Sequence, residues 1–184
     1  APSELNYFDV LAMSAVSDLK RTLPVDVSVF TMGPPQAREA LVQCLATGAD
    51  KAVHLVDAAF AGSDTLATAR ALAMALSREG FDLIVCGLNS VDAETGQVGP
   101  EIAEFLDLPQ VTGVCRLEVG SSQEEITVTK LTDGGHDIIY CLLPALITVT
   151  EGVASEVYPT RQAMEAARAA GDWIGSQIDA QDGS

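Results

Sequence analysis

Apolar positions change their period near residue 110, and that change divides the chain into two regimes. Within residues 6–21, Leu11, Ala12, Ala15, Val16 and Leu19 recur at helical spacing. Lys20 and Arg21 stand in the last turn, where the helix dipole favours cations, and Pro24 stops the helix. The β-branched run 25–32 predicts a strand, closed by Gly33-Pro34-Pro35. Pro35 then opens a helix with Ala40, Leu41, Cys44 and Leu45 on one face, and Thr47-Gly48 ends it. Residues 51–56 predict a second strand. Ser63 or Asp64 caps a third helix reaching about Ser77, with Leu66, Ala69, Ala73 and Leu76 as its buried stripe. Residues 81–87 form a continuous apolar run, as in a strand covered on both faces.

Strands alternating with helices of this length predict parallel βαβ units with right-handed crossovers, hence an α/β fold. Beyond residue 110 the segments 111–119, 124–133 and 136–143 alternate at period two. Asp133-Gly134 is a hairpin turn signal, so this part reads as an antiparallel addition. Pro144 introduces an apolar strand over 145–150. An alanine-rich helix near 160–170 and a polar tail, 179–184, expected to be loose, follow. Residues 1–150 are thus expected to form one domain and 151–184 a C-terminal arm. Val153, Val157, Tyr158, Met164, Trp173 and Ile174 are too few to build a second core, so the arm is expected to pack on a partner chain.

Composition narrows the function. Of 184 residues, 48% are apolar and 20% charged, which excludes a disordered chain. Ten Lys and Arg against twenty-six Asp and Glu leave a net charge of −16, which argues against nucleic acid and anionic membrane surfaces as partners. No apolar run reaches the roughly 18–20 residues of a membrane span, and the opening residues lack a secretory pattern, so the cytoplasm is the expected location. Cys44, Cys86, Cys115 and Cys141 stand singly in apolar segments, as free thiols in a reducing compartment do. His54 and His136 lack a second ligand at metal spacing, and no nucleophile-and-base motif occurs. Neither catalysis by the chain itself nor a metal is therefore expected.

Chemistry-bearing residues concentrate in 87–104. An apolar strand ends at Gly87, a loop of small and polar residues follows, and a helix begins near Gly96, presenting Ile102, Ala103, Phe105 and Leu106 to the core. Ligands of open parallel sheets bind beyond the carboxyl ends of strands, and a helix start offers unpaired N–H groups to a phosphate. Gly96 and Gly99 allow close approach to the backbone, and Thr95 adds a hydroxyl. Asp92 and Glu94 would repel a phosphate but suit ribose hydroxyls or a solvated rim. The same residues also read as an ordinary βα loop capped by Thr95.

The run Asp92-x-x-Thr95-Gly96-Gln97-Val98-Gly99-Pro100, with Ile102-Ala103-Glu104 after it, resembles the electron transfer flavoprotein β subunit. Leu5-Asn6-Tyr7-Phe8, residues 45–54, Asp133-Gly134-Gly135 and Leu143-Pro144-Ala145 with Thr148 stand in the family's order, so the resemblance covers about residues 5–168. It implies a Rossmann-like sheet of the adenine nucleotide α-hydrolase kind, an AMP or a second FAD held by this chain, and an α subunit carrying the redox FAD. Together the two subunits move electrons from dehydrogenases. A stand-alone nucleotide-binding module is the alternative. By position, the nucleotide contacts would fall at Asn6, Tyr7, Phe8, Asp9 and Met32, and at Gly87, Leu88, Asn89, Ser90, Val91, Asp92, Thr95, Gly96, Gln97 and Val98.

The chain departs from the family in three places. Leu88 stands where the family usually has lysine, and Tyr7 where it often has proline. Arg161 falls near the leucine that anchors dehydrogenases in the family. The family also begins with a mid-sheet strand before the Asn6 helix, so these residues are expected to be a fragment or to receive a strand from elsewhere.

Overall fold

The computed structural model describes residues 5–89, 95–170 and the backbone of 173–174. Helix α1 (Tyr7–Thr22) starts at Asn6 and buries Val10, Leu11, Met13 and Ala15. There follow β1 (Ser28–Met32), α2 (Arg38–Thr47), β2 (Lys51–Leu55), α3 (Thr65–Glu79), β3 (Leu83–Gly87) and α4 (Val98–Phe105). The second regime comprises β4 (Gln110–Val119), β5 (Glu125–Thr132), β6 (Gly135–Leu142) and β7 (Ala145–Val149). The chain then forms α5 (Arg161–Ala170) and the two-residue β8 (Trp173–Ile174). The α/β class and the antiparallel addition expected from the sequence are both present.

Among the described residues the strands form two ladders. One is β1-β2-β8, all parallel; the other runs β3-β7-β4-β5-β6, parallel through β4 and antiparallel beyond. Backbone parity shows where the seam lies. Gly33 N–H donates to Leu55 C=O and Asp50 N–H to Val27 C=O, so odd residues of β1 face β2. Ser28, Phe30 and Met32 therefore turn their backbone groups the other way. Leu88 N–H donates to Val149 C=O and Ala145 N–H to Asp82 C=O, so even residues bond β7. Leu83 and Val85 consequently carry an open edge. β2 is buried over its last four residues and β7 throughout, whereas no residue of β1 is buried.

Helix α3 spans this seam. Its Ala71 and Ala75 pack with Val53 and Leu55 of β2, while Ala69, Ala73 and Leu76 pack with Ile84, Ile102 and Leu146. Phe30 of β1 touches both clusters. Alanines let the helix backbone lie close to both ladders at once. Leu66, expected in the buried stripe, is 55% exposed, because it sits in the first turn, before α3 descends onto the sheets. Phe105 is likewise 45% exposed, at the last residue of α4.

The C-terminal residues fold back onto the body. Helix α5 packs on α2, where Arg168 pairs with Glu39, although no α5 residue is buried. β8 adds to the outer edge of β2, and Val157 N–H donates to the buried Ser14 Oγ, 2.9 Å away. The described residues of the segment thus lie against α1, α2 and β2. The tail 179–184 and the side chain of Trp173 lie outside the described residues.

Position in the sheet should decide the effect of truncation. Ile147, fully buried in β7, should cost about 2–5 kcal/mol as Ile147→Ala. Ile138→Ala on the exposed face of β6 should stay within about 0.5 kcal/mol. Urea denaturation of the two variants checks this contrast.

Candidate functional site

The start of α1 and the end of β3 meet at one point. Asn6 Oδ1 accepts the N–H of Asp9 at 2.9 Å, and Asn6 Nδ2 donates back to the Asp9 carboxylate, a reciprocal cap. The Asp9 carboxylate also receives the N–H of Gly87, which points to the open edge of β3. A Cβ at residue 87 would lie 2.7 Å from Asp9 Oδ1 and 2.9 Å from Phe8, so only glycine allows this approach.

Burial dominates the electrostatics here. It raises the Asp9 pKa to about 6, against the opposing pull of the Gly87 N–H. The Cys44 and Cys86 thiols are pushed up to about 12, first by burial and then by the nearby Asp9 charge. Neither thiol is poised as a nucleophile. A strongly perturbed carboxyl at the carboxyl end of a strand is the kind of costly arrangement that functional sites retain.

The loop beyond β3 returns to its own start. Gly96 has φ +59°, and a Cβ there would lie 3.0 Å from Asn89 Oδ1 and 3.1 Å from Leu88 C=O. Leu88, Asn89 and Gly96 are thus gathered at the base of the loop, whereas Ser90, Val91 and Asp92 lie outside the described residues. The N-cap of α4 is Gln97, which makes no capping side-chain hydrogen bond, so Thr95 is not the cap expected of an ordinary βα loop. The first N–H groups of α4, from Val98 and Gly99, thus receive no capping bond from Gln97 at the helix's positive end.

Other expected residues sit at the periphery. Tyr7 is exposed, its ring edge-on to Phe8 at 5.5 Å, and its hydroxyl pKa is raised by desolvation and by Glu151 and Glu156. Met32 ends β1 and packs with the Val53–Leu55 cluster, on the far ladder from Gly87. His54 is a structural histidine: buried, with Nε2 3.1 Å from Gly33 C=O, it braces the turn after Met32.

Two residues were missed. Thr65 Oγ1, at the start of α3, lies 3.2 Å from Glu101 Oε1 and 3.4 Å from Gln97 Oε1, while Glu101 Oε2 is buried without a partner among the described residues. Asp64 was legible as a helix cap, but the meeting of two helix starts is a long-range contact with no local signal. A surface hollow lined by Pro35, Arg38, Glu39, Val42 and Arg168 lies between α2 and α5, away from this junction.

The raised Asp9 pKa sets a pH dependence. Between the ordinary carboxylate value of 3.8 and about 6, the folded chain holds this proton more tightly than the unfolded one. The Asp9 contribution to stability is therefore present at low pH and lost as pH rises through about 6, on the order of 3 kcal/mol in all. Asp9→Asn keeps an acceptor for Gly87 N–H and should remove this dependence. Urea midpoints from pH 4.5 to 7.5 should show the variant gaining on the wild type across that window; a difference independent of pH would refute the assignment.

The family model for the electron transfer flavoprotein domain matches residues 1–171. The chain is 40% identical over 159 residues to the electron transfer flavoprotein subunit beta of Thermoanaerobacterium thermosaccharolyticum, covering 86% of this chain and 60% of that protein. It is 42% identical over 147 residues to the subunit beta of Clostridium acetobutylicum, covering 80% and 56% respectively. It is also 42% identical over 156 residues to the protein FixA of Azotobacter vinelandii, covering 82% and 56%. The chain thus spans less than two thirds of the length of these relatives. With its α/β fold, reciprocal helix cap and glycine-lined loop in place, the chain belongs to the electron transfer flavoprotein family, on the β-subunit side.

Proposed function

We propose that this chain is the nucleotide-holding part of a β subunit that binds AMP or FAD and, paired with an FAD-bearing α subunit, carries electrons from dehydrogenases. The observation that carries the reading is the junction itself. Asn6, Phe8, Asp9 and Gly87 meet at one contact, and Leu88, Asn89 and Gly96 meet at the base of the loop leading to α4, whose N-cap Gln97 makes no capping side-chain hydrogen bond. At Gly87 and Gly96 a methyl group would press on Asp9, Phe8, Asn89 and Leu88, so glycine keeps helix start, strand end and loop base close together.

The roles follow from each group's chemistry. The N–H groups of Val98 and Gly99 face the phosphate, and the Thr95 hydroxyl donates to it. Asn6 orients Asp9, and the Asp9–Gly87 bond holds α1 against the loop. Ser90, Val91 and Asp92 complete the loop, and Tyr7 and Met32 border the base and ribose. Leu88 supplies no cation, so the phosphate relies on backbone N–H groups and the dipole of α4. Electrons travel on the α-subunit flavin; the nucleotide held here is a structural element unless it is itself FAD. Residues 1–150 form the nucleotide domain and 151–184 the partner-facing segment, with the cytoplasm as the location. The open edges of β1 and β3 support a further parallel strand from outside the described residues. On α5, Arg161 is exposed and pairs with Glu165, 3.0 Å away, which supports altered docking to dehydrogenases.

Co-expression with an α subunit tests the reading, with mass analysis of the ligand released from the purified complex. A yellow complex releasing AMP or FAD is expected; a colourless chain that binds AMP and ignores the α subunit would favour the stand-alone module. Thr95→Val and Gly96→Ala should each weaken AMP binding about tenfold in calorimetry. For Thr95→Val the melting temperature should stay unchanged, since one ligand hydrogen bond is lost and no core contact is touched.

A further inference from the structure

Strand β7 is buried throughout, and Thr148 is its one polar residue. A hydroxyl is tolerated in such a place only when it is hydrogen-bonded. Its partner is the N–H of Gly113 on β4, 3.1 Å from Thr148 Oγ1. That donor is released by an irregularity in the ladder. Val111 pairs with Ile147 and Val114 with Val149, so three steps along β4 match two along β7. Gly113 sits in this bulge, and the Thr148 hydroxyl takes up the backbone group that the bulge leaves over.

Alternate residues of β7 serve opposite faces of the sheet. Ala145, Ile147 and Val149 pack with Leu11 and Ala12 of α1, whereas Leu146 packs with Ile102 and Ala103 of α4. Thr148 shares the face of Leu146, and its methyl meets the start of α4. A Cβ at Gly99 would lie 2.8 Å from Thr148 Cγ2, but 3.7 Å from both Cys86 Cβ and Leu146 Cδ2. One methyl group therefore fills the space that a side chain at residue 99 would need. Glycine here faces the sheet and lets the second residue of α4 rest directly on β7. Two further contacts seat the same turn. Gln110 Nε2 reaches Pro100 C=O at 3.5 Å, and the Thr65 hydroxyl donates to Glu101 Oε1 at 3.2 Å.

We propose that Thr148 is a positioning residue for the nucleotide, its methyl setting how far the Val98 and Gly99 N–H groups stand above the sheet. This rests on reading the start of α4 as the phosphate cradle. The residue acts through Gly99 and not by touching the nucleotide. Its hydroxyl, tied to Gly113, fixes the side-chain rotamer, and the rotamer aims the methyl at Gly99. Threonine alone combines the two tasks, since serine lacks the methyl and valine the hydroxyl. The height of α4 matters because hydrogen bonds from backbone N–H groups to a phosphate weaken steeply as distance and angle depart from their optimum. The bulge in β4 thus reaches the candidate site through two contacts, Gly113 to Thr148 and Thr148 to Gly99.

Exchanging bulk between residues 99 and 148 provides the test, read by AMP calorimetry well below the melting temperature and by hydrogen exchange of the backbone amides. Gly99→Ala sets a methyl against Thr148 Cγ2 and lifts the helix start, so AMP should bind about tenfold more weakly. Thr148→Ser leaves a gap of one methyl beneath Gly99 and should weaken binding about threefold. In the serine background the added methyl fills that gap, so Gly99→Ala should there tighten binding, to within about twofold of the wild type. This reversal of sign stays measurable against Thr148→Ser even if Gly99→Ala alone fails to fold. The Gly113 amide should exchange faster in Thr148→Val and stay slow in Thr148→Ser. Gly99→Ala weakening AMP binding equally in both backgrounds, or in neither, would overturn the positioning role while leaving the nucleotide reading intact. Unchanged Gly113 exchange in Thr148→Val would overturn the anchoring of the side chain. A wild-type chain that binds no AMP would overturn the nucleotide reading, and the role of Thr148 with it.

Discussion

The contact of Asp9 with Gly87 fixes how the first helix sits on the sheet, and the candidate site depends on it. One carboxylate closes the helix cap with Asn6 and takes up the last N–H on the open edge of β3. Its burial is unfavourable enough to hold its pKa near 6. The absence of a side chain at Gly87 is what lets α1 approach so closely. Helix start, strand end and loop base are thereby brought together, which is the local condition for backbone groups to gather around a ligand.

A second constraint acts at the seam. β1 and β3 are each paired on one side only, and α3 reaches across from one ladder to the other with alanines. Met32 lies on one ladder and Gly87 on the other, so the spatial relation between these two parts of the expected site depends on what stands between the strands. The half-exposure of β1, against the fully buried β7, shows which part of the sheet is incomplete among the described residues.

Much of this was legible in the sequence, for physical reasons that differ by element. Asn6 and Asp9 three residues apart ahead of an apolar stripe gave α1, Gly48 ended α2, and Asp133-Gly134 gave the β5–β6 turn. These are local signals. The glycines at 87 and 96 marked the loop, but the reason for glycine at 87 lies in Phe8 and Asp9, some eighty residues earlier. Leu66 and Phe105 misled because helical period alone ignores where the sheet ends beneath a helix. The division into two ladders, the meeting of Thr65 with Glu101 and the return of α5 onto α2 are tertiary facts without a local pattern.

Whether this junction holds an adenine nucleotide is decided by titrating the isotopically labelled chain with AMP and following its backbone amides by NMR. Saturable shifts concentrated at residues 6–9, at 87–89 and at 95–99 are expected, with Gly96 and Val98 among the largest. Saturation centred elsewhere, for instance on the hollow between α2 and α5, or no saturation at all, would contradict it.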